Sequence, residues 1–213
     1  MSHSSTRINY NRLSRWYDWF SGTEKQFSDI GVQMLKIQSG ENVLEIGFGT
    51  GRNLVTLAYS LVEGGSVYGI DLSEGMIKVA RITMIHTRIS NCVNLVQGDG
   101  IKLPFTSGFF NAIFISFTLE LFNEPEITIV LNECKRVLCN NGRLAIVSLM
   151  KKDSLAVNIY DWVHNRLPSI VDCRPIPVDR YLTNSGFELV ETIQKDLWGL
   201  PIVMILARKH DCR

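Results

Sequence analysis

Val43-Leu44-Glu45-Ile46-Gly47-Phe48-Gly49-Thr50-Gly51 carries a short apolar strand through an acidic residue straight into a glycine-rich turn. Glycines at alternate positions remove the Cβ atoms that would hold a ligand away from the main chain, and they reach φ values costly to other residues. The following run, Arg52-Asn53-Leu54-Val55-Thr56-Leu57-Ala58, has apolar side chains at 54, 55, 57 and 58, a helical pattern suited to packing on a sheet. The unit is strand, turn, helix, as in a nucleotide-cradling loop. A dinucleotide fingerprint requires a further glycine at 52, where Arg52 stands, so pyrophosphate and an NAD-linked reductase are disfavoured. Glu45 argues the same way, because a carboxylate ahead of the glycines repels pyrophosphate and attracts a cation. Ser66-Val67-Tyr68-Gly69-Ile70-Asp71 is a second apolar strand ending in an acid, 20 residues after Gly51. An acid at that strand end reaches ribose hydroxyls. Both acids then belong to one site.

Working outward, strands are expected at 43–47, 66–71, 92–97, 110–116 and 143–149, and helices near 51–61, 73–88 and 124–139. Such alternation predicts an α/β, doubly wound (Rossmann-like), mostly parallel sheet with helices on both faces. Asn140-Asn141-Gly142 is expected to stop the helix before the fifth strand, since these residues tolerate positive φ. Phe187–Lys195 and Val203–Arg208 read as two further strands joined by residues 196–201. Two segments stand outside the pattern and carry the specificity. One is Tyr10–Phe20, dense in aromatics. The other runs from Ser154 to Pro177, where Leu155, Ile159, Trp162, Val163 and Leu167 lie near helical spacing before Pro168.

The chain has 213 residues, enough for one domain that buries a core without disulfides or metals. Lysine plus arginine number 22 against 21 for aspartate plus glutamate, a formal charge of +1. Nucleic-acid binding should leave a strong positive balance or a basic stripe, so a small-molecule or lipid-like partner fits better. Cysteines at 92, 134, 139, 173 and 212 form no Cys-x-x-Cys pair, which predicts a reduced, metal-free protein. No apolar run approaches the roughly 18 residues of a membrane span, and the first residues lack a signal-peptide pattern. A cytoplasmic chain without a transmembrane segment is the expectation.

Several motifs in order give the chain a specific resemblance. Glu45, Gly47, Gly49 and Gly51, then Asp71-Leu72-Ser73 with Met76, then Val96-Gln97-Gly98-Asp99-Gly100 resemble the class I S-adenosylmethionine-dependent methyltransferases. Leu103-Pro104-Phe105, Phe109–Ile113 and the turn 140–142 into Arg143–Val147 fit the same family, and the likeness spans Tyr10 to Lys209. It implies a seven-stranded sheet closed by a C-terminal antiparallel pair. It also implies one methyltransferase domain over 1–213: N-terminal lid helices at 1–40, a donor-binding core at 41–150, an acceptor-side insertion at 151–180 and C-terminal strands at 181–213. S-adenosylmethionine is the implied donor and S-adenosylhomocysteine the product, with no metal. The implied donor residues are Tyr17, Glu45, Gly47, Gly49, Gly51, Asp71, Leu72, Met76, Asp99, Gly100 and Ser116, with Asp71 on the ribose, Asp99 on the adenine amino group and Tyr17 over the methionyl end.

Plainer readings stand beside these. Asp71 also suits a cap on the helix beginning near Ser73, Asp99 a turn residue, and Ser116 a buried serine bonded to the backbone. Tyr17 suits a core aromatic of a docking helix. Methyl transfer from a sulfonium needs alignment, exclusion of water and in some cases a base, so the lack of a catalytic triad is no objection. His164 is the base candidate, four residues after Tyr160 and thus on the same helix face; Arg174 suits an acidic or phenolate acceptor. Each also suits a structural role, with His164 facing solvent and Arg174 bracing a loop against Asp172. Within the family the nearest resemblance is to the ubiquinone/menaquinone C-methyltransferases, on Tyr160-Asp161, Leu167-Pro168 and Arg180-Tyr181-Leu182. Phosphatidylethanolamine N-methyltransferases are the rival, with the aromatic N-terminus in peripheral contact with a membrane. A non-catalytic donor-binding module is the third reading, and the chain is expected as monomer or homodimer.

Overall fold

In the computed structural model, which describes residues 14–61, 64–150, 175–197 and 200–209, with side chains from residue 24 onward, seven strands form one sheet. Strands β1 (Asn42–Ile46), β2 (Ser66–Asp71), β3 (Val93–Gln97), β4 (Phe110–Ser116) and β5 (Leu138–Leu149) run parallel. Strands β6 (Phe187–Leu197) and β7 (Leu200–Lys209) join antiparallel, giving the order β3-β2-β1-β4-β5-β7-β6. The expected fold class and closing antiparallel pair are both present. Val43, Leu44 and Ile46 of β1 are all buried, as both faces of a parallel sheet require.

One face is covered by α1 (Ser14–Leu35), α2 (Arg52–Ser60) and α3 (Glu74–His86), the other by α4 (Glu124–Val137) and α5 (Val178–Asn184). Phe27, Leu35, Leu54, Leu57, Phe114 and Val147 belong to the first core; Ile113, Ile127, Leu131, Leu144 and Phe187 belong to the second. The second half of α1 packs on β4, β5 and β7. Helix starts are fixed locally. Ser73 caps α3 by accepting from Met76 N, and Asn123 with Glu126 forms a capping box on α4.

Two boundaries differ from the sequence reading. Helix α4 ends at Val137, and Asn140-Asn141-Gly142 lies inside β5. There the pairing jumps from Phe110↔Leu138 to Ala112↔Arg143, and Asn141 takes φ 59°. Its tolerance of positive φ therefore serves a bulge rather than a helix stop. At the chain's end Asp196 pairs with Pro201 and Leu197 with Leu200, so the strands extend as far as residues 197 and 200; residues 198–199 lie outside the described residues.

β1 has β2 on one side and β4 on the other, and successive crossovers leave in opposite directions. Sheets of this kind bind ligands beyond the carboxyl ends of the strands at that switch point.

Candidate active site

The glycine turn leaves β1 at the switch point, with Gly47, Gly49 and Gly51 at φ 74°, 52° and 82°. Only one of the three keeps space for a visitor. A Cβ on Gly47 would lie 2.3 Å from Thr118 Cγ2, and one on Gly51 would lie 3.0 Å from both Ala80 Cβ and Met84 Cε. A Cβ on Gly49 would meet nothing within 4 Å among the described residues. Gly47 and Gly51 thus serve the fold's own packing, while Gly49 fronts open space.

Glu45 is 1% exposed, and its Oε1 accepts from Asn53 Nδ2 at 3.0 Å. Its Oε2 has no partner among the described residues. Burial pushes this carboxyl up to about 8; the Asn53 hydrogen bond lowers it in part, and the Asp71 charge raises it further. At neutral pH Glu45 is therefore held protonated, and a cation beside it would favour its charged form. Asp71 binds main chain with both oxygens: Oδ2 accepts from Gly49 N and Oδ1 from Ser73 N, each at 2.8 Å. Burial raises its carboxyl, and those two N–H donors act in the opposite sense. Ser73 is the helix cap itself, and Asp71 ties the glycine turn to the end of β2.

An open cleft of about 530 Å³ lies above the turn, lined by Gly47, Phe48, Gly49, Asn53, Ser116 and Phe117 and by Glu24, Lys25 and Ser28 from α1. Ser116 Oγ is bonded to Ser28 Oγ at 2.8 Å, so this serine joins helix and strand. Leu72 is 40% exposed at the end of β2, whereas Met76 is buried in the first turn of α3. Asp99 follows β3, and its Oδ1 accepts from Ile101 N at 3.1 Å, the geometry of a turn residue. Gly100 is packed between Ile46 and Phe122. Leu72, Met76, Asp99 and Gly100 therefore share the sheet edge with the cleft without lining it. Tyr17 lies on α1 with its side chain outside the described residues; His164, Tyr160 and Arg174 lie outside them altogether.

Two contributors, Asn53 and Glu120, were not singled out from sequence. Asn53 falls eight residues after Glu45 and is returned to it by the turn. Phe117 takes φ 47°, an outlier for a bulky residue, at the point where Thr118 Oγ1 turns to reach Gly47 O at 3.3 Å. Glu120 follows on a short 3-10 turn, Leu119–Leu121, and is 1% exposed. Its only sequence signal is being the lone acid in the apolar run 117–122.

An orphaned buried carboxylate oxygen beside a turn with one uncrowded glycine fits a cationic ligand that approaches the main chain closely. Residues 43–142 match the family described as methyltransferase domain. The chain is 34% identical over 131 residues to a demethylmenaquinone methyltransferase of Listeria monocytogenes, covering 62% of this chain and 52% of the relative. It is 29% identical over 141 residues to a ubiquinone/menaquinone biosynthesis C-methyltransferase of Azotobacter vinelandii, covering 66% and 55%. The chain thus spans about half the length of the curated relatives it matches. In fold it is similar to an S-adenosylmethionine-dependent methyltransferase from Aquifex aeolicus, with TM-score 0.65, 21% identity and coverage of 85% and 88%. The glycine turn and the acids at 45 and 71 lie inside residues 43–142, the span that matches the methyltransferase domain, and over that span the chain is similar to the class I S-adenosylmethionine-dependent methyltransferases and distantly to the menaquinone and ubiquinone C-methyltransferases.

Proposed function

We propose that this chain methylates a ring carbon of a small, amphiphilic hydroquinone-type acceptor. The donor, when bound, supplies an electrophilic methyl on a sulfonium that departs as a neutral thioether. The protein's part is to hold that cation, align the acceptor and exclude water. Glu45 is assigned to the donor's positive end because its free oxygen is buried at the foot of the turn. Gly49 gives the ligand access to the main chain, Asp71 faces the ribose, and Leu72, Met76 and Asp99 form the adenine end. The observation that carries the donor reading is Glu45 Oε2, a buried acceptor atom with no partner among the described residues. The acceptor reading is supported by the 34% identity to a demethylmenaquinone methyltransferase.

The test is incubation of the full chain with labelled S-adenosylmethionine and a chemically reduced, prenylated naphthohydroquinone under anaerobic conditions. The expected product is the ring-methylated quinol, read by mass spectrometry. Methylation of phosphatidylethanolamine vesicles instead would move the acceptor to a lipid amine. Calorimetric donor binding with no product from either would leave a donor-binding module.

A further inference from the structure

Among the described residues, Glu45 and Glu120 are the two acids that are almost wholly buried, each 1% exposed. Glu45 has a place in donor binding; Glu120 has none. Its 3-10 turn begins three residues after Ser116, a wall of the cleft. Glu120 Oε1 accepts from Leu149 N at 3.4 Å, with the Ser148 hydroxyl close by, and Oε2 has no partner among the described residues. A carboxyl in that state opposes folding, and an apolar side chain would suit the run 117–122 better. It stands at the carboxyl edge of β4 and β5, and Glu24, which lines the cleft, is near enough for its charge to act on it.

We propose that Glu120 is a catalytic base whose unpartnered oxygen takes the hydroxyl proton of a phenolic or hydroquinol acceptor; this rests on the hydroquinone reading above. As the acceptor's O–H bond breaks, its electron pair enters the ring and a ring carbon bonds the incoming methyl. The ring proton at that carbon then returns to the oxygen by tautomerisation, and the proton on Glu120 leaves to solvent. One proton is released per methyl transferred. Burial pushes the Glu120 carboxyl up to about 7, and Glu24 raises it further, which matches a base working near neutral pH. The groups acting on it are Glu24 from α1 and, from β5, the Leu149 N–H and the Ser148 hydroxyl.

The probe is the reduced prenylated naphthohydroquinone, assayed from acid to alkaline pH. Wild-type kcat should rise with pH through about 7 as the carboxylate forms. Glu120→Gln keeps an oxygen for Leu149 N–H, yet should lower kcat roughly 10²–10⁴-fold, abolish that rise and leave donor affinity unchanged. Glu120→Asp should recover part of the rate. Glu24→Gln removes a like charge and should move the rise to lower pH. Carboxyl-¹³C glutamate labelling reads the group without turnover: besides the resonances of Glu45 and Glu24, which burial also raises, one should titrate above the ordinary glutamate range, vanish in Glu120→Gln and shift down in Glu24→Gln. Glu120→Gln with wild-type kcat and pH profile overturns the base, as does finding that the resonance lost in Glu120→Gln titrates in the ordinary glutamate range. A wild-type chain that binds donor but never methylates the hydroquinol overturns the acceptor reading and the base with it.

Discussion

Glu45 is a buried acid whose cost to the fold the proposed donor site would explain. A buried carboxyl with one free oxygen is costly when charged, so the donor-free fold keeps its proton. Its folded value of about 8 lies above the ordinary 4.5, so the native state binds the extra proton between those limits. The stability this group contributes is present at acid pH and is lost as pH rises through about 8. Glu45→Gln should therefore flatten the decline and unfold at higher denaturant than wild type in alkaline buffer without ligand. A cationic donor favours the ionised acid, so wild-type affinity should climb with pH toward 8 and binding should release protons. Calorimetry in buffers of different ionisation heat measures both effects. The glutamine variant should bind roughly 10–100-fold more weakly, the worth of a hydrogen bond to a charged group at ~1.5–3 kcal/mol, with little pH dependence. Affinity independent of pH in the wild type would remove Glu45 from the cation's surroundings.

Helix α1 is where element-scale packing decides the outcome. A Cβ on Gly31 would lie 2.6 Å from Val147 Cγ2 and 2.9 Å from Phe114 Cε2, so the helix rests on the sheet with no room for a methyl. Alanine is the better helix former by up to ~1 kcal/mol, whereas overpacking costs roughly 1–3 kcal/mol. Gly31→Ala should destabilise the protein by about 1–2 kcal/mol in urea unfolding, and a gain in stability would mean a looser seam. Sequence could not disclose this contact, because its partners are more than 80 residues away. The strands and the glycine turn were legible because a buried parallel strand and a φ-demanding turn write themselves into adjacent residues. The β5 bulge was misread as a helix stop because positive φ at Asn141 suits either, and only pairing with β4 decides between them. Glu45 and Asp71 were legible as strand-end acids. Asn53 meets Glu45, and Glu120 meets Leu149, through folded proximity, which periodicity does not encode.

For the whole molecule, the cleft draws its walls from α1, from the turn after β1 and from the end of β4, so a ligand there braces elements far apart in the chain. A ligand that binds only the native state at a hundred times its dissociation constant adds about 2.7 kcal/mol. S-adenosylhomocysteine at that excess should raise Tm by roughly 5–10 °C for a domain of this size. NADH should leave it unchanged, since Arg52 stands where the dinucleotide turn needs glycine. Gly49→Val separates ligand approach from folding. A Cβ at Gly49 meets no atom of the described residues within 4 Å, and backbone strain at φ 52° adds about 1–2 kcal/mol. Gly47→Val would instead strike Thr118 and disturb the fold itself. The Gly49→Val chain should therefore unfold cooperatively at a somewhat lower Tm and show no rise with the thioether. A full rise in that variant would place the ligand away from the turn, because an isopropyl group in the path of a main-chain contact leaves no route to the same pose.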